Sequence, residues 1–182
     1  MKVVLINPAW SKDVCFPRIN LGLAYVASSL EKDGHEVRIL DQMVARLSAE
    51  QVCERIRQIS PEIIGFTCNT SQYGFVKEIL EHLLSIKQTR KIKIVMGGVH
   101  ARIRPIECLN LPGVDVVIKG EGEGTMVELL KYIDDYHKYR DIKGLFYRDK
   151  KNKSNETPID LSWKIWTSCH SHPEDYFQNP IG

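Results

Sequence analysis

Side chains able to bind or react gather in five short segments of the 182-residue chain, each directly after an apolar run. They are Asn7-Pro8-Ala9-Trp10, Asp41-Gln42, Thr67-Cys68-Asn69-Thr70-Ser71, Gly97-Gly98-Val99-His100 and Gly120-Glu121-Gly122-Glu123-Gly124. Thr67–Ser71 offers more hydroxyl and amide groups than a helix start needs, and Thr70 or Ser71 is placed as the cap. The surplus suits a hydrogen-bonding shelf for a ligand; the plain alternative is a cap and a helix start. Gly97-Gly98 lets a bulky ligand approach the backbone or allows a positive φ, the plain alternative being a tight turn into an irregular loop. His100 and Arg102 follow, and a lone loop histidine reads first as a surface residue. The Gly120–Gly124 segment looks like a phosphate cradle, but Glu121 and Glu123 would repel the anion. It fits a neutral, amide-rich or cationic partner, or a neighbouring domain, better.

Bond-breaking chemistry has no evident machinery. No serine lies in a G-x-S-x-G elbow, and none of the cysteines has a placed base. Neither a G-K-[ST] phosphate loop nor a G-x-G-x-x-G turn after the first apolar run is present. The five cysteines (15, 53, 68, 108 and 169) contain no C-x-x-C pair, so no metal-ligating set and no disulfide framework is expected. Cys68 reads as a small residue packing near the sheet. No catalytic residue and no metal ligand is assigned.

The elements that must position these segments follow from hydrophobic periodicity. Short β-branched runs predict strands at Lys2–Ile6, Glu36–Leu40, Ile63–Thr67, Ile92–Met96 and Val114–Ile118, and all but the second are near-continuous apolar segments, the pattern of strands covered on both faces. Amphipathic patterns predict helices over 21–33, 48–59, 73–88 and 123–138, with a short turn near 105–109. Gly34 reads as the glycine after a last helical turn, Ser48 with Gln51 as a capping box, and Pro61 as a stop. Five β–α units in this order give a doubly wound α/β fold over residues 1–140, flavodoxin-like, with a five-stranded parallel sheet in the order 2-1-3-4-5. In such sheets ligands bind outside the carboxyl ends of the strands, at the switch point between strands 1 and 3. Both acidic receiver-domain and flavin-binding patterns fail there, because Asn7, Thr67 and the Pro8-Ala9-Trp10 loop hold the diagnostic places.

Residues 141–161 read as an appended β-hairpin, with strands over Ile142–Arg148 and Thr157–Leu161 around a turn-rich stretch. Residues 162–182 have no clean period yet carry Trp163, Trp166, Tyr176 and Phe177, as a linker arm would whose docking surface lies elsewhere. These aromatics also offer a surface for self-association. With 25 basic and 23 acidic residues the net charge is +2, so nothing points to nucleic acid or a membrane surface as partner. No apolar run approaches membrane-span length, and Met1–Ile6 is too short for a leader, so a cytoplasmic protein is expected.

Several segments together resemble the N-terminal cobalamin-binding domain of B12-dependent radical SAM enzymes. They are Ile6-Asn7-Pro8, Pro17, Leu21-Gly22-Leu23-Ala24-Tyr25 through Leu30, Gly34-His35-Glu36-Val37 with Asp41, Ile64-Gly65-Phe66-Thr67, Val95-Met96-Gly97-Gly98-Val99-His100, and Gly120-Glu121-Gly122-Glu123. They run in the family's order. Asp160-Leu161 and Pro173-Glu174-Asp175-Tyr176 are similar to its interdomain linker. The resemblance implies cobalamin as cofactor, its nucleotide tail lying beneath Gly97-Gly98. Thr67, Asn69, Thr70 and Ser71 would bond the tail, and the loops bearing Asn7, Pro8, Trp10, Asp41, Gly120, Glu121 and Gly122 would touch the corrin rim, with Cys68 and His100 close by.

The resemblance further implies a parent enzyme of methyltransferase type, with a radical SAM domain in cis that holds a [4Fe-4S] cluster and S-adenosylmethionine. The chain departs from the family in two ways. The D-x-H-x-x-G corrinoid motif is replaced by Asn7-Pro8-Ala9-Trp10-Ser11-Lys12-Asp13, which supplies no histidine to cobalt. The C-x-x-x-C-x-x-C cluster motif is absent, and Cys169-His170-Ser171-His172 does not replace it, so the chain reads as an N-terminal fragment without catalytic power of its own. The alternative reading is a cofactor-free scaffold or interaction domain of the same fold, and a third is a free-standing small-molecule binding protein.

Overall fold

The structure is a computed structural model that describes residues 1–11, 19–85, 92–149 and 152–159. Five parallel strands form its centre: β1 (Lys2–Asn7), β2 (Glu36–Asp41), β3 (Ile63–Thr67), β4 (Lys93–Gly97) and β5 (Val114–Ile118). Between them run α1 (Leu21–Lys32), α2 (Ala49–Ile59), α3 (Tyr73–Ser85), and the short pair α4 (Val99–Ile103) and α5 (Pro105–Leu109). After β5 come α6 (Gly122–Lys131), a 3-10 turn (Tyr136–Asp141) and the hairpin β6 (Leu145–Arg148) and β7 (Ser154–Glu156). The strand order is β2-β1-β3-β4-β5-β6-β7. Its parallel part has the expected order. The hairpin joins the same sheet, β6 antiparallel to β5 and β7 to β6, so the count is seven.

Two apolar layers hold the sheet. On one face Leu23, Ala27 and Leu30 of α1 and Met126, Leu129 and Leu130 of α6 cover Val3, Leu5, Val95 and Val116. On the other, Val52 and Ile56 of α2, Val76, Ile79, Leu80 and Leu83 of α3, and Ala101 and Cys108 of α4 and α5 cover Val4, Ile6, Ile64, Phe66, Ile94 and Met96. The central strands are therefore apolar at both parities, and each fully buried aliphatic side chain contributes roughly 1.5–3 kcal/mol. Gly65 interrupts β3 for packing reasons, since a Cβ there would lie 2.7 Å from Leu5 Cδ2.

Caps form as the residue types require. Gly34, at φ +87°, follows the last turn of α1, and the His35 N–H donates to the Leu30 carbonyl at 3.1 Å. Ser48 and Gln51 exchange both bonds of a capping box. Other expectations are corrected. The helix over 123–138 ends at Lys131, because the Asp135 carboxylate caps the following 3-10 turn at His137 N and takes the chain out of the helix. In place of an irregular loop after Gly98 there is a helix, α4, and Pro105 starts α5 in the first-turn position that tolerates its missing N–H. The second hairpin strand falls at Ser154–Glu156 rather than 157–161: Thr157 N still donates to Leu145 O at 2.9 Å, but Leu145 N is taken by the Thr157 hydroxyl at 2.8 Å in place of a backbone carbonyl. Residues 160–182, with the whole expected linker arm, lie outside the described residues, as do Pro17, Lys12-Asp13 and the end of the helix expected over 73–88. Among the described residues no helix is long and apolar enough to cross a membrane.

Candidate functional site

The strand register lines up the last residues of four strands. Asn7 pairs with Asp41 and Thr67 with Gly97, while the Ile6–Phe66 pairing places Asn7 next to Thr67. Leu5 and Val95 pack under α1 and α6, and side chains alternate with period two, so Asn7, Thr67 and the α-hydrogen of Gly97 face that same side. The row Asp41–Asn7–Thr67–Gly97 thus loses bulk toward β4. A Cβ built on Gly97 would meet nothing within 4 Å, so open space adjoins the carboxyl end of β4.

The loops after β1, β2 and β3 are tied together by side-chain amides. Asn7, 2% exposed, donates Nδ2 to Asp41 Oδ2 at 2.7 Å. Its Oδ1 accepts from Asn20 Nδ2 at 3.3 Å and Gln72 Nε2 at 3.0 Å. Gln72 also donates to the Pro8 carbonyl at 2.7 Å, and its Oε1 accepts from the Asn69 N–H at 3.0 Å. Asn20 caps α1 at Leu23 N, and Gln42 Oε1 accepts from Ala9 N at 2.8 Å. Asn69, rather than Thr70 or Ser71, is the cap of the loop after β3. Its Oδ1 accepts from Gln72 N and from the Ser71 hydroxyl, closing a capping box over the 3-10 turn Thr70–Gln72. Asn69 Oδ1 and the Ser71 hydroxyl are therefore engaged in local structure and Cys68 is fully buried, while Thr67 and Thr70 also bring hydroxyls to this edge.

At the start of α4 the two glycines separate in role. Gly98 has φ +97°, and a Cβ there would lie 2.7 Å from the Cys68 carbonyl oxygen, so the fold itself excludes a side chain. That close approach is sealed by Cys68 N donating to Gly97 O and His100 N to Cys68 O, both at 2.9 Å. His100 is not a surface residue: it is 6% exposed, its Nδ1 lies 3.2 Å from the Thr70 hydroxyl, and its ring stacks obliquely on Tyr73 at 4.8 Å. Nε2 is buried without a hydrogen-bond partner, 3.8 Å from Glu107 Oε2.

The loop after β5 stands apart from this cluster. Gly120 approaches Ile159 and Gly122 approaches Val26 of α1, each closely enough that a Cβ would sit 3.3 or 3.0 Å away. Glu121 precedes α6, exposed and without a capping bond, while Trp10 is half-buried at the end of the β1 loop. Gln72 and Asn20 are not singled out by the sequence reading, and Gln42 enters it only as the neighbour of Asp41. The Asn69-x-x-Gln72 spacing of a capping box was the signal for Gln72.

The two buried thiols near this edge are not set up as nucleophiles. Burial, then the neighbouring Cys108 and Glu107, pushes the Cys68 thiol up to about 12. Cys108 rises to about 11 through burial and Glu107. Both remain protonated at neutral pH and are poor nucleophiles. Among the described residues no group of three His, Cys, Asp or Glu could hold a metal ion. The edge thus combines an amide-lined lip, carrying one carboxylate at Asp41, with open space at Gly97.

A family model described as the B12 binding domain matches residues 16–130. An uncharacterized methyltransferase of Pyrococcus horikoshii is 30% identical over 166 residues, which covers 88% of this chain and 36% of that protein. Cytidylyl-2-hydroxyethylphosphonate methyltransferase of Streptomyces wedmorensis is 28% identical over 179 residues, 86% of this chain and 33% of that protein. The chain thus spans about a third of the length of these curated relatives. In fold it is similar to the cobalamin-dependent S-adenosylmethionine radical enzyme OxsB, with a TM-score of 0.77 and 23% identity over 88% of this chain and 22% of the other. The matched segment takes in α1 through β5 and nearly all of α6, and with it the chain belongs to the B12-binding domain family.

Proposed function

We propose that this chain binds cobalamin across the carboxyl edge of its sheet and serves as the corrinoid-holding part of a radical SAM enzyme of methyltransferase type. The observation that carries the reading is Gly97: the row beneath α1 and α6 ends in a residue without a side chain, with open space where a Cβ would be. Gly98 is explained by the fold. Gly97 has no such internal explanation, and a ligand pressed against the backbone supplies one. The neutral donors and acceptors around it suit an amide-fringed corrin better than an isolated anion.

Within this reading Thr67 and Gly97 hold the nucleotide tail, with Thr70 at the lip, and Trp10 and Glu121 meet the corrin rim. Asn7, Asp41, Gln72 and Asn69 act one step back by keeping the three loops in register. Bound cobalamin supplies methyl-group transfer, while the cluster and S-adenosylmethionine belong to a separate domain in cis of the parent. The segment between β1 and α1 holds no histidine, so the reading takes no cobalt ligand from it. A cytoplasmic setting goes with it, since Cys53, Cys68 and Cys108 are free thiols.

The test is an absorption spectrum of the protein after incubation with hydroxocobalamin and removal of free cofactor. Roughly stoichiometric corrinoid bands are expected. A colourless protein would instead support a scaffold domain that has kept the fold without the cofactor.

A further inference from the structure

Glu107, His100 and Thr70 form a chain that runs from the surface of α5, through the buried ring, to the exposed hydroxyl at the ligand edge. From its geometry, and resting on the cobalamin reading for the nature of the ligand, we infer that His100 is a positioning residue. It fixes the polarity of Thr70, so that the hydroxyl presents only acceptor lone pairs to the ligand and receives an N–H or O–H donor from it.

A neutral imidazole carries one proton on one of two nitrogens. Nε2 of His100 is inaccessible and has no hydrogen-bond partner, and the nearest charge is Glu107 Oε2 at 3.8 Å. A lone pair at Nε2 would face that carboxylate oxygen across a poorly solvated gap, whereas an N–H there points its positive end toward it. The proton therefore sits on Nε2, and Nδ1 is left as an acceptor. The one hydrogen that the Thr70 hydroxyl can donate then goes to Nδ1 at 3.2 Å, and its remaining lone pairs face outward. The main chain of His100 is held by its N–H bond to Cys68 O, and the ring packs against Tyr73 with Nδ1 turned to Thr70. A phosphate, with acceptors only, is disfavoured at Thr70. A corrin side-chain amide or a ribose hydroxyl is favoured.

The first test needs no ligand. In 15N-histidine-labelled protein, long-range proton–nitrogen correlations at neutral pH are expected to show His100 protonated at Nε2 and bare at Nδ1. The His100 signals are those lost in His100→Asn, or those whose Nδ1 resonance moves in Thr70→Val should the first variant not fold. A proton found on Nδ1 overturns the inference. The second test compares hydroxocobalamin affinity. Thr70→Ser is expected to bind as the wild type does; Thr70→Val, whose melting temperature also falls because His100 Nδ1 loses its donor, is expected to bind about tenfold more weakly at a temperature where both variants are fully folded, because a ligand donor loses its acceptor. Equal affinity for both variants overturns the inference. Repeating the comparison with cobinamide, which lacks the nucleotide tail, separates the two donors: a penalty that persists marks a corrin amide, and one that vanishes marks the ribose. A wild-type protein that binds no corrinoid overturns the cofactor reading together with the ligand half of this one, while the ring tautomer still decides the polarity of Thr70.

Discussion

The two sides of the carboxyl edge are built on opposite principles. Around β1, β2 and β3, every loop is knitted to its neighbour by side-chain amides, with Asn7 and Gln72 almost fully buried at the knots. Around β4 and β5 the edge is made of glycines whose neighbours are backbone, a methyl group or open space. A buried amide network costs stability if left incomplete and gains specificity when satisfied. A glycine costs conformational entropy and gains room. The first side therefore reads as a lip that does not move, and the second as the seat. The contrast also divides Gly97 from Gly98. They are neighbours, and only one of them is needed by the protein itself.

The sharpest way to break this contrast is Gly98→Ala. A side chain at φ +97°, 2.7 Å from a backbone oxygen, is expected to cost at least about 3 kcal/mol, read as loss of a cooperative transition or a large drop in melting temperature. An unshifted transition would show that the turn is not as tight as drawn. Next in size, Gly97→Leu is expected to leave the transition within a few degrees of wild type and weaken hydroxocobalamin retention about 100-fold, near 2.7 kcal/mol. Unchanged retention would move the seat away from β4. On the other side, Gln72→Met keeps the volume but strands the Asn69 N–H and the Pro8 carbonyl and leaves Asn7 Oδ1 with Asn20 alone. Urea denaturation should register a loss of about 1–3 kcal/mol with an unchanged slope.

The smallest effect is chemical. Cys53, raised to about 11 by burial and then Glu50, together with Cys68 and Cys108, should resist iodoacetamide in the folded chain at pH 8 and react fully in denaturant. A thiol held above its ordinary 9.0 in the fold is protonated there while the unfolded thiol ionises. Its contribution to stability is full below pH 9 and is lost as pH rises from 9 toward 12. Rapid labelling of Cys68 in the native protein would mean that the β3 loop opens.

Much of the fold was legible because its signals are local or strictly periodic. The strands after 63 and 114 were placed to the residue, since an apolar run buried on both faces has few alternative readings. Ser48 and Gln51 announced their own cap. The end of α6 was not legible, because the competing bond from Asp135 to the backbone matters only once the helix has formed. At the proposed site, the clustering of polar residues after each strand pointed to the carboxyl edge, where the strand register does gather Asp41, Asn7, Thr67 and Gly97. Their division of labour did not show. Whether Asn69 faces a ligand or caps a turn depends on Gln72 reaching Pro8 and Asn7 from another loop, and that contact spans 64 or 65 residues. His100 was misjudged as a surface residue for the same reason: its burial comes from Tyr73 and Cys68, both far away in sequence.

The β6–β7 hairpin does more than widen the sheet. Each antiparallel strand reverses the travel of the chain, and two reversals cancel. A polypeptide that climbs β5 toward its carboxyl end descends β6 and climbs again in β7. By Ile159 it has returned to the level of Gly120, whose missing side chain Ile159 Cγ2 nearly touches. The even number of added strands therefore brings Ile159 to the rim that carries the proposed cofactor seat and not to the opposite end of the sheet. A hairpin with one strand more or fewer would have sent it the other way.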